Sequence, residues 1–378
     1  MRIAAISHSC VIDVNQQLYV ELAGRPDVKL LLIAPDQWDS SLRGDTAFSC
    51  LPELKDLAHP LPTAFPGHIH LHWYRGLGPV LQEFEPDVLY VDEEPYSLVT
   101  TQALGRQRRL GCKLVFYTKQ NLFKRYFPPF SFMQKRALDC ADHAMVVSDE
   151  AAEVLRAKGY TGTMTELPHG IDPQLVAPHD SEPLRARLGI KAPIIGYVGR
   201  IAAEKGVWDL LESARVLADR IGPNFTVVVI GDGPDRWRLE AAAERQLPSG
   251  TFFFTGAVAH HAVPDYLNLL DVLVLPSRTR PHWKEQFGRV LVESLACGVP
   301  LVGSTSGQIP AVIKDTGGGL VFEEGNVVDL ADKLQTLLED PDMAQSMAEK
   351  GRAVVAERYS YKRVAEILYG ALKQVADG

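Results

Sequence analysis

The stretch at residues 194–233, IIGYVGRIAAEKGVWDLLESARVLADRIGPNFTVVVIGDG, carries the strongest signal for the fold class. Two short apolar runs, IIGYV and FTVVVI, flank a segment whose apolar side chains recur at helical spacing, namely Leu210, Leu211, Ala214, Leu217 and Ala218. That spacing is typical of a helix that packs on a sheet, and near-continuous apolar strands are typical of a parallel sheet covered on both faces. The stretch therefore predicts a strand–helix–strand unit with parallel strands.

The same alternation continues on both sides of this stretch. Strand-like runs such as RIAAIS, VKLLLIAP, DVLYVD and KLVFYT alternate with helical segments in the first half, and TFFFTG, DVLVLPS and PLVGS do so in the second. Between the halves, residues 169–193 are rich in Pro and Asp and weakly periodic, which indicates a linker. After GGGLVF the pattern is helical to the end of the chain.

A chain of 378 residues is too long for one ordinary core, since about 150 residues is a typical domain size. We predict an α/β fold with two Rossmann-like, doubly wound domains, residues 1–180 and 181–360, that face a cleft. The carboxyl ends of parallel strands form a binding edge in each domain, so a ligand in the cleft would touch both.

The composition restricts the class of protein. With 46% hydrophobic and 23% charged residues, the chain is typical of a globular enzyme. Its five cysteines are scattered without metal-ligand spacing, which fits a reduced, cytoplasmic setting. Because no signal peptide and no run of about 18 apolar residues is found, we expect a soluble protein. The net charge of −8 argues against nucleic acid as a partner.

A dinucleotide-binding oxidoreductase also uses parallel sheets, but its glycine fingerprint should follow the first strand. The segment ISHSCVIDV at that place contains no glycine, and GDGPDR at residues 231–236 supplies only two glycines of the fingerprint. The pattern argues against a nicotinamide site. We interpret the turn at Gly231 as a close approach of the backbone to a phosphate or a base.

The segment GYVGRIAAEKG, residues 196–206, predicts a cradle for a diphosphate. A strand ends here, glycine permits a sharp turn, and Arg200 and Lys205 flank the start of a helix whose N-terminus attracts anions. Arginine grips phosphate oxygens through two N–H groups, whereas lysine supplies a compact charge. The alternative is a pair of surface cations beside a helix cap.

Two carboxylates follow in KEQFGRVLVESLACGVP, residues 284–300. If a helix begins near Gly288, Glu285 lies in the loop before it and Glu293 in its second turn. Glu285 could then accept hydrogen bonds from sugar hydroxyls, with the free amides of Phe287 to Arg289 facing the same sugar. Glu293 could bind the diol of a ribose. The alternative is two solvated glutamates.

The motifs GRIAAEKG, GDGP, DVLVLPS and EQFGRVLVESLACGVPLVGS together resemble the C-terminal half of the retaining, nucleotide-sugar-dependent glycosyltransferases of family 4, which have the GT-B fold. The resemblance covers residues 194–359. It assigns Arg200 and Lys205 to the donor diphosphate, Glu285 and the Phe287–Gly288 backbone to the donor sugar, and Glu293 to the ribose. It also implies that a final helix, residues 361–378, packs back on the N-terminal, acceptor-side domain.

The resemblance implies a hexosyltransferase-type enzyme of polysaccharide or glycoconjugate biosynthesis. It would transfer a sugar from a UDP, GDP, ADP or TDP sugar, with retention, to a hydroxyl of a glycan or lipid-linked acceptor. No protein nucleophile, metal or cofactor is then expected, because the cations and helix dipole stabilise the leaving diphosphate. The base, the sugar and the acceptor stay open. So do an epimerase, a phosphorylase and a non-catalytic nucleotide-sugar-binding protein.

The N-terminal half departs from the family in two motifs. SHSCVID stands where members carry a glycine-rich loop, and in YVDEEPYS Glu93 takes the place of a histidine before Glu94 and Pro95. We hypothesise that Asp92 or Glu93 faces the cleft, contacts ligand hydroxyls and, for Glu93, takes part in catalysis. The alternative is a solvated acidic loop.

Several histidines require an interpretation. His68, His70 and His72 alternate in GHIHLHW, which predicts one shared strand face, but without a carboxylate or cysteine partner we predict no metal site. His169 stands where the family has Asn before Gly, and either lines the cleft or supports a turn.

Residues 95–138 contain no Asp or Glu but many cations and aromatic side chains. They could hold a phosphate-bearing acceptor, or attract the protein to an anionic membrane on its inner face. The alternative is a solvated helix of arginines followed by core aromatics.

Overall fold

The computed structural model describes residues 1–40, 44–190 and 193–378. It divides into two compact units, Met1–Gly170 together with Tyr361–Gly378, and Ile171–Ser360. The division at Gly170 lies earlier than the predicted boundary at residue 180. Ile171 belongs to the second unit because its N–H donates to the carbonyl of Tyr359 (2.8 Å) and it pairs with Ser360.

The first unit contains strands and helices in alternation. Its strands are β1 (Arg2–Ile6), β2 (Lys29–Pro35), β3 (Gln37–Ser40), β4 (Gly44–Ala47), β5 (Ala58–Leu61), β6 (Thr63–Ala64), β7 (Trp73–Tyr74), β8 (Val88–Val91), β9 (Lys113–Thr118), β10 (His143–Val146) and β11 (Thr163–Glu166). Its helices before the linker are α1 (Gln17–Ala23), α2 (Leu77–Phe84), α3 (Leu98–Leu110), α4 (Phe130–Cys140) and α5 (Asp149–Ala157).

Seven strands of this unit form one parallel sheet in the order β5-β2-β1-β8-β9-β10-β11. The pairs β3–β4 and β6–β7 are separate antiparallel ribbons. Strand order reverses between β1 and β8. At such a point the loops that follow the two strands run in opposite directions, and a crevice forms between them.

The second unit has a six-stranded sheet. Its strands are β12 (Ile194–Val198), β13 (Thr226–Ile230), β14 (Phe252–Gly256), β15 (Val272–Leu275), β16 (Leu301–Ser304) and β17 (Gly319–Phe322). Its helices are α6 (Glu182–Leu188), α7 (Val207–Ile221), α8 (Arg236–Gln246), α9 (Val263–Leu267), α10 (Arg289–Ala296), α11 (Ile309–Thr316), α12 (Val327–Glu339) and α13 (Pro341–Arg358). Helix α6 lies inside the segment, residues 169–193, that was predicted to be a linker because its periodicity is weak.

All pairings in this sheet are parallel, in the order β14-β13-β12-β15-β16-β17. The order reverses between β12 and β15. The predicted stripe on α7 is confirmed, since Leu210, Leu211, Ala214 and Leu217 are fully buried against the strands, and Ala218 packs at its margin. The predicted fold class, two Rossmann-like α/β domains, is confirmed.

The chain ends in α14 (Tyr361–Asp377), which belongs to the first unit. Its apolar face, including Leu368 and Leu372, is fully buried. The Tyr369 hydroxyl donates to Asp27 Oδ2 at 2.6 Å, beside α1. None of the described helices combines the length and apolar character needed to cross a bilayer.

One predicted element is wrong. Residues 68–72 form a turn, because the amides of Leu71 and His72 both donate to the carbonyl of His68 (3.0 and 2.9 Å). His68 and His70 are exposed and His72 is buried, so the three rings share no strand face.

Candidate functional site

The predicted donor residues gather at the carboxyl edge of the second unit's sheet. Arg200 and Lys205 follow β12, and Glu285, Phe287 and Gly288 follow β15. Because strand order reverses between these two strands, this edge is where a doubly wound sheet binds ligands.

Two glycine turns shape the floor of this edge. A Cβ atom at Gly231 would lie 2.0 Å from the carbonyl oxygen of Gly199, and one at Gly233 would lie 2.2 Å from that of Ile201. Gly231 also has φ 138°, a conformation that side chains rarely adopt. The loop after β12 and the GDGP turn after β13 therefore lie backbone against backbone, as glycine alone permits.

Arg200 is held through its backbone. The buried Tyr197 hydroxyl donates to the Arg200 carbonyl at 2.6 Å, which fixes the path of the loop. The Arg200 side chain is exposed, and within the described residues it forms no salt bridge. A guanidinium at a sheet edge without a protein counter-charge is suited to an anionic ligand.

Lys205 lies directly before α7. Gly206, the N-cap of that helix, has φ 69°, and a Cβ there would lie 1.7 Å from the Pro276 carbonyl oxygen. The start of α7 is thus pressed against the end of β15. This contact brings the Lys205 ammonium to the loop that carries Glu285.

Glu285 is the centre of a polar cluster. Its Oε2 accepts hydrogen bonds from Lys205 Nζ and from Ser277 Oγ, both at 2.8 Å. The Lys205 ammonium also lies 4.5 Å from the centroid of the Trp283 ring. Glu285 is only 7% exposed, so the alternative of a solvated glutamate is wrong for this residue. An ammonium has three N–H donors, so Lys205 can hold Glu285 and an anion together.

Helix α10 begins at Arg289 with Gly288 as its N-cap, which confirms the predicted start. Glu293 lies in the second turn and is 7% exposed, so it too is not a solvated side chain. Its Oε1 accepts a hydrogen bond from Arg289 Nε at 2.8 Å. Arg289 Nη2 lies 3.0 Å from His260 Nε2. A carboxylate has about four acceptor positions, so this pairing leaves Glu293 able to bind a diol.

Sequence reasoning missed several residues of this edge, among them Tyr197, His260, Ser277 and Trp283. It also missed the bidentate pair between Arg278 and the buried Asp209, which ties α7 to the loop after β15. The sequence contains a signal for that pair, because Asp209 is an acid in the first turn of an otherwise apolar helix face and so requires a partner. The i, i+4 spacing of Arg289 and Glu293 was a similar signal.

A second polar cluster lies at the carboxyl edge of the first unit's sheet, between β1 and β8. His8 donates twice to Glu93 Oε1, from its backbone N–H at 2.8 Å and with its ring Nδ1 at 2.7 Å. His72 Nε2 lies 3.6 Å from the same oxygen. Glu93 is 3% exposed, so the alternative of a solvated acidic loop is wrong.

The neighbouring acids have partners as well. Asp92 accepts from Ser7 Oγ at 2.9 Å and from Lys119 Nζ at 3.2 Å. Glu94 accepts from Thr118 Oγ1 at 2.6 Å and from the Lys119 amide at 2.8 Å.

Burial and charge pairing shift the pKa values of Glu93 and Glu94 in opposite directions. Burial acts to raise the pKa of Glu93, but the charge and the hydrogen bonds of His8, together with the nearby His72 ring, lower it well below its usual range. Burial raises the pKa of Glu94 overall. Burial also opposes the charged form of His8, yet Glu93 raises the His8 pKa overall. Glu93 and His8 therefore behave as an ion pair. The hypothesis that Glu93 contacts ligand hydroxyls stays a prediction, and so does the role of the half-buried His169.

The basic and aromatic segment at residues 95–138 divides into two parts. Phe116 and Tyr117 lie in the core, as the alternative reading of this segment expected. Phe123, Phe127 and Phe132 are instead 52%, 87% and 67% exposed. The segment therefore combines core aromatics with an exposed apolar group next to the cations Lys124 and Arg125.

Two family models match consecutive parts of the chain. Residues 21–175 match "Glycosyltransferase Family 4", and residues 180–354 match "Glycosyl transferases group 1". The two matches meet near the boundary of the two units.

Two curated relatives come from Streptomyces kanamyceticus. A 2-deoxystreptamine glucosyltransferase is 30% identical over an alignment of 262 positions, which covers 63% of this chain and 66% of the relative. An alpha-D-kanosaminyltransferase is 34% identical over 193 residues, which are 51% of this chain and 48% of the relative. The chain thus spans less than two thirds of the length of either relative.

Among solved structures, Anabaena HepE in complex with UDP superposes with a TM-score of 0.77. The superposition covers 99% of this chain and 100% of that chain at 17% sequence identity. At this identity the likeness concerns the fold.

Proposed function

Because this chain belongs to the family 4 glycosyltransferases and has their GT-B fold, we propose that it transfers a sugar from a nucleoside diphosphate sugar to an acceptor hydroxyl. The acceptor class we propose is a glycan or a lipid-linked sugar, and the transfer retains the anomeric configuration. The observation that carries the proposal is the Lys205–Glu285 ion pair at the reversal point of the second sheet.

In this proposal the diphosphate lies against Arg200 and Lys205. Arg200 is exposed and has no protein counter-charge among the described residues, so a phosphate would neutralise it. Lys205 keeps its bond to Glu285 and donates another N–H to the phosphate. Positive charge placed where the leaving group becomes negative lowers the barrier, so no metal is required at the diphosphate.

The two glutamates would then hold the two ends of the donor. Glu285 accepts hydrogen bonds from hydroxyls of the transferred sugar, and the backbone N–H groups of Phe287 and Gly288 at the start of α10 donate to the same sugar. Glu293 accepts from the ribose hydroxyls through the acceptor positions that Arg289 leaves. Gly231 permits the backbone to approach the nucleotide closely.

Transfer with retention follows if the acceptor attacks from the face that the diphosphate leaves. The bond from the anomeric carbon to phosphate oxygen breaks, the bond to the acceptor oxygen forms, and the acceptor proton passes to the leaving phosphate. Such a reaction needs no nucleophile on the protein. This fits the sheet edge described above, where Glu285 accepts hydrogen bonds from Lys205 and Ser277, and Glu293 accepts one from Arg289.

A thermal-shift screen with UDP, GDP, ADP and TDP sugars would identify the donor, since a ligand that binds the folded state raises the melting temperature. UDP-glucose is the first candidate, because a relative is named as a glucosyltransferase and the HepE structure holds UDP. NMR of the product formed with that donor and an acceptor should show the donor's anomeric configuration. Inverted product would refute the retaining mechanism.

The same experiments separate the rival functions. An epimerase would convert the donor without any acceptor, and a phosphorylase of the pyridoxal type would show cofactor absorbance. A non-catalytic protein would bind the donor tightly, by calorimetry, without turnover across acceptors.

We further propose that the protein is located in the cytoplasm and that Phe123, Phe127 and Phe132, with nearby cations, bring it to the inner face of a membrane that carries the acceptor. Liposomes with anionic lipid should bind the protein more than neutral liposomes do, and salt should weaken that binding. A Phe127→Ser variant should bind less, whereas Trp237→Ser, an exposed aromatic of the second unit, should bind as the wild type does. Absence of salt-sensitive binding would refute the membrane role.

A further inference from the structure

We propose that His8, His72 and Glu93 form a binding site for a divalent transition-metal ion of the Zn²⁺ type. The site lies at the carboxyl edge of the first unit's sheet. Its ligands come from the loop after β1, the turn before β7 and the loop after β8. The ligand atoms of the three side chains lie within 4.8 Å of one another.

The backbone fixes the tautomer of His72. Its Nδ1 lies 3.0 Å from the carbonyl oxygen of Ile69 and 3.3 Å from that of His68. A carbonyl only accepts, so Nδ1 carries a hydrogen, and in the neutral imidazole Nε2 then presents its lone pair. A backbone carbonyl that orients the second ring nitrogen is the usual support of a metal-binding histidine.

The lone pair of His72 faces a carboxylate. His72 Nε2 and Glu93 Oε2 are both buried and have no hydrogen-bond partner among the described residues. Their side chains are 0% and 1% exposed. The carboxylate oxygen that His72 Nε2 approaches is Oε1, at 3.6 Å. A lone pair of a neutral imidazole that points at a carboxylate is repelled by it, and a buried polar atom without a partner is costly. A positive charge between them removes both costs.

The spacing suits a metal ion. His72 Nε2 and Glu93 Oε1 are 3.6 Å apart, too far for a hydrogen bond. Two ligands of one tetrahedral ion with bonds of about 2.1 Å lie about 3.4 Å apart. His8 Nδ1, at 2.7 Å from Glu93 Oε1, now shares a proton with the carboxylate, and an ion would replace that proton.

The donor set selects the class of ion. Two imidazole nitrogens with one carboxylate oxygen suit Zn²⁺ and its first-row neighbours, whereas Mg²⁺ and Ca²⁺ prefer oxygen ligands alone. The Trp38 ring lies 4.9 Å from the rings of both His8 and His72 and packs against one side of the cluster. Only His8, 21% exposed, offers access for a further ligand.

The ion would stabilise the folded state of the first unit. It would join segments that are far apart in sequence, and an ion that binds only the folded state stabilises that state. The sequence prediction of no metal depended on the lack of a carboxylate near the histidines, and the fold supplies Glu93. The proposal concerns the first unit alone and is independent of the donor chemistry proposed for the second.

Titration of the tag-free, chelator-treated chain of 378 residues tests the proposal. With Co²⁺ as the probe, we expect visible d–d absorption that saturates at one ion per chain. With Zn²⁺ we expect a rise in melting temperature that saturates at the same ratio. Absence of saturable absorption in the wild type would overturn the proposal.

Matched variants locate the site. His72→Asn and Glu93→Gln should each weaken Co²⁺ binding by more than about 100-fold. His70→Asn, an exposed histidine of the same GHIHLHW segment, should bind as the wild type does. If His70→Asn weakens binding as much as His72→Asn, surface histidines bind the ion and the proposed site is wrong. Circular dichroism of each variant establishes that it is folded.

Discussion

Lys205 and Glu285 depend on each other. Glu285 is nearly buried, and Lys205 supplies its neighbouring positive charge at 2.8 Å. Removing one partner of such a pair leaves the other desolvated without compensation, whereas removing both costs less. The pair therefore contributes to stability as well as to the proposed donor chemistry.

A double-mutant cycle tests this dependence. We expect Lys205→Met to lower the free energy of unfolding by about 1–3 kcal/mol, and the added Glu285→Gln change to restore part of that loss. Urea unfolding of the four proteins measures the coupling. Strictly additive effects would show that the pair forms no significant interaction.

Lys158 should make stability depend on pH. Burial lowers its pKa from the ordinary value of 10.5 to about 8, among the rings of Tyr96, Phe123 and Tyr126 and near Glu94 and Lys124. Below about pH 8 the folded protein bears the full cost of keeping this half-buried ammonium charged. Between about pH 8 and 10.5 the unfolded chain binds more protons than the folded one, so stability rises with pH.

The measurement compares the wild type with Lys158→Met. The variant's advantage in melting temperature should be greatest at pH 7 and should shrink between pH 8 and 10. A difference that stays constant over this range would contradict a lowered Lys158 pKa.

At the scale of elements, the α7 start depends on Gly206. An alanine there would combine a left-handed φ of 69° with a Cβ 1.7 Å from the Pro276 carbonyl oxygen. Gly189, at the end of α6, is the matched control, since its φ is 65° but no atom lies within 4 Å of a Cβ built on it. Only the first substitution forces the loop after β15 to move.

We therefore expect Gly189→Ala to cost about 1 kcal/mol through backbone strain alone. Gly206→Ala should cost considerably more and should also abolish donor-induced thermal shifts, because Lys205 would leave Glu285. Thermal unfolding of both variants measures this, and equal melting temperatures would contradict the close contact.

The elements show how far sequence reasoning extends. The spacing of apolar residues located the strands β1, β12 and β13 and the helix α7. A strand that is buried on both faces is a continuous apolar run in the sequence, and a helix that is buried along one stripe has apolar residues at helical spacing. It failed at residues 68–72, where alternation of histidines resembles a strand but backbone bonds to His68 form a turn. It also missed α6, which buries no residue fully and so has weak periodicity.

The residues of the candidate site also fall into two groups, those that the sequence predicts and those that only the structure reveals. Arg200, Lys205, Glu285 and Glu293 follow from local motifs, because each stands beside a strand end or helix start that the sequence marks. The His8–Glu93–His72 cluster and the Asp209–Arg278 pair join residues distant in sequence. No local pattern encodes which strands are neighbours, so these contacts required the structure.

At the scale of the whole molecule, the last helix completes the first unit. Leu368 of α14 is fully buried, so Leu368→Ala should cost about 2–5 kcal/mol. Hydrogen exchange should accelerate in α1 and β8, which α14 contacts, and remain unchanged in the sheet of the second unit. Lys373→Ala, at an exposed position of the same helix, should change neither. Faster exchange in the second unit alone would contradict the assignment of α14.

The central claim is that the second unit holds a nucleoside diphosphate sugar at the reversal point between β12 and β15. A crystal structure with the donor found by thermal shift tests it most directly. We expect the diphosphate against Arg200 and Lys205, the transferred sugar at Glu285 and the ribose at Glu293. A nucleotide bound elsewhere, or bound here without contact to these four side chains, would contradict the claim.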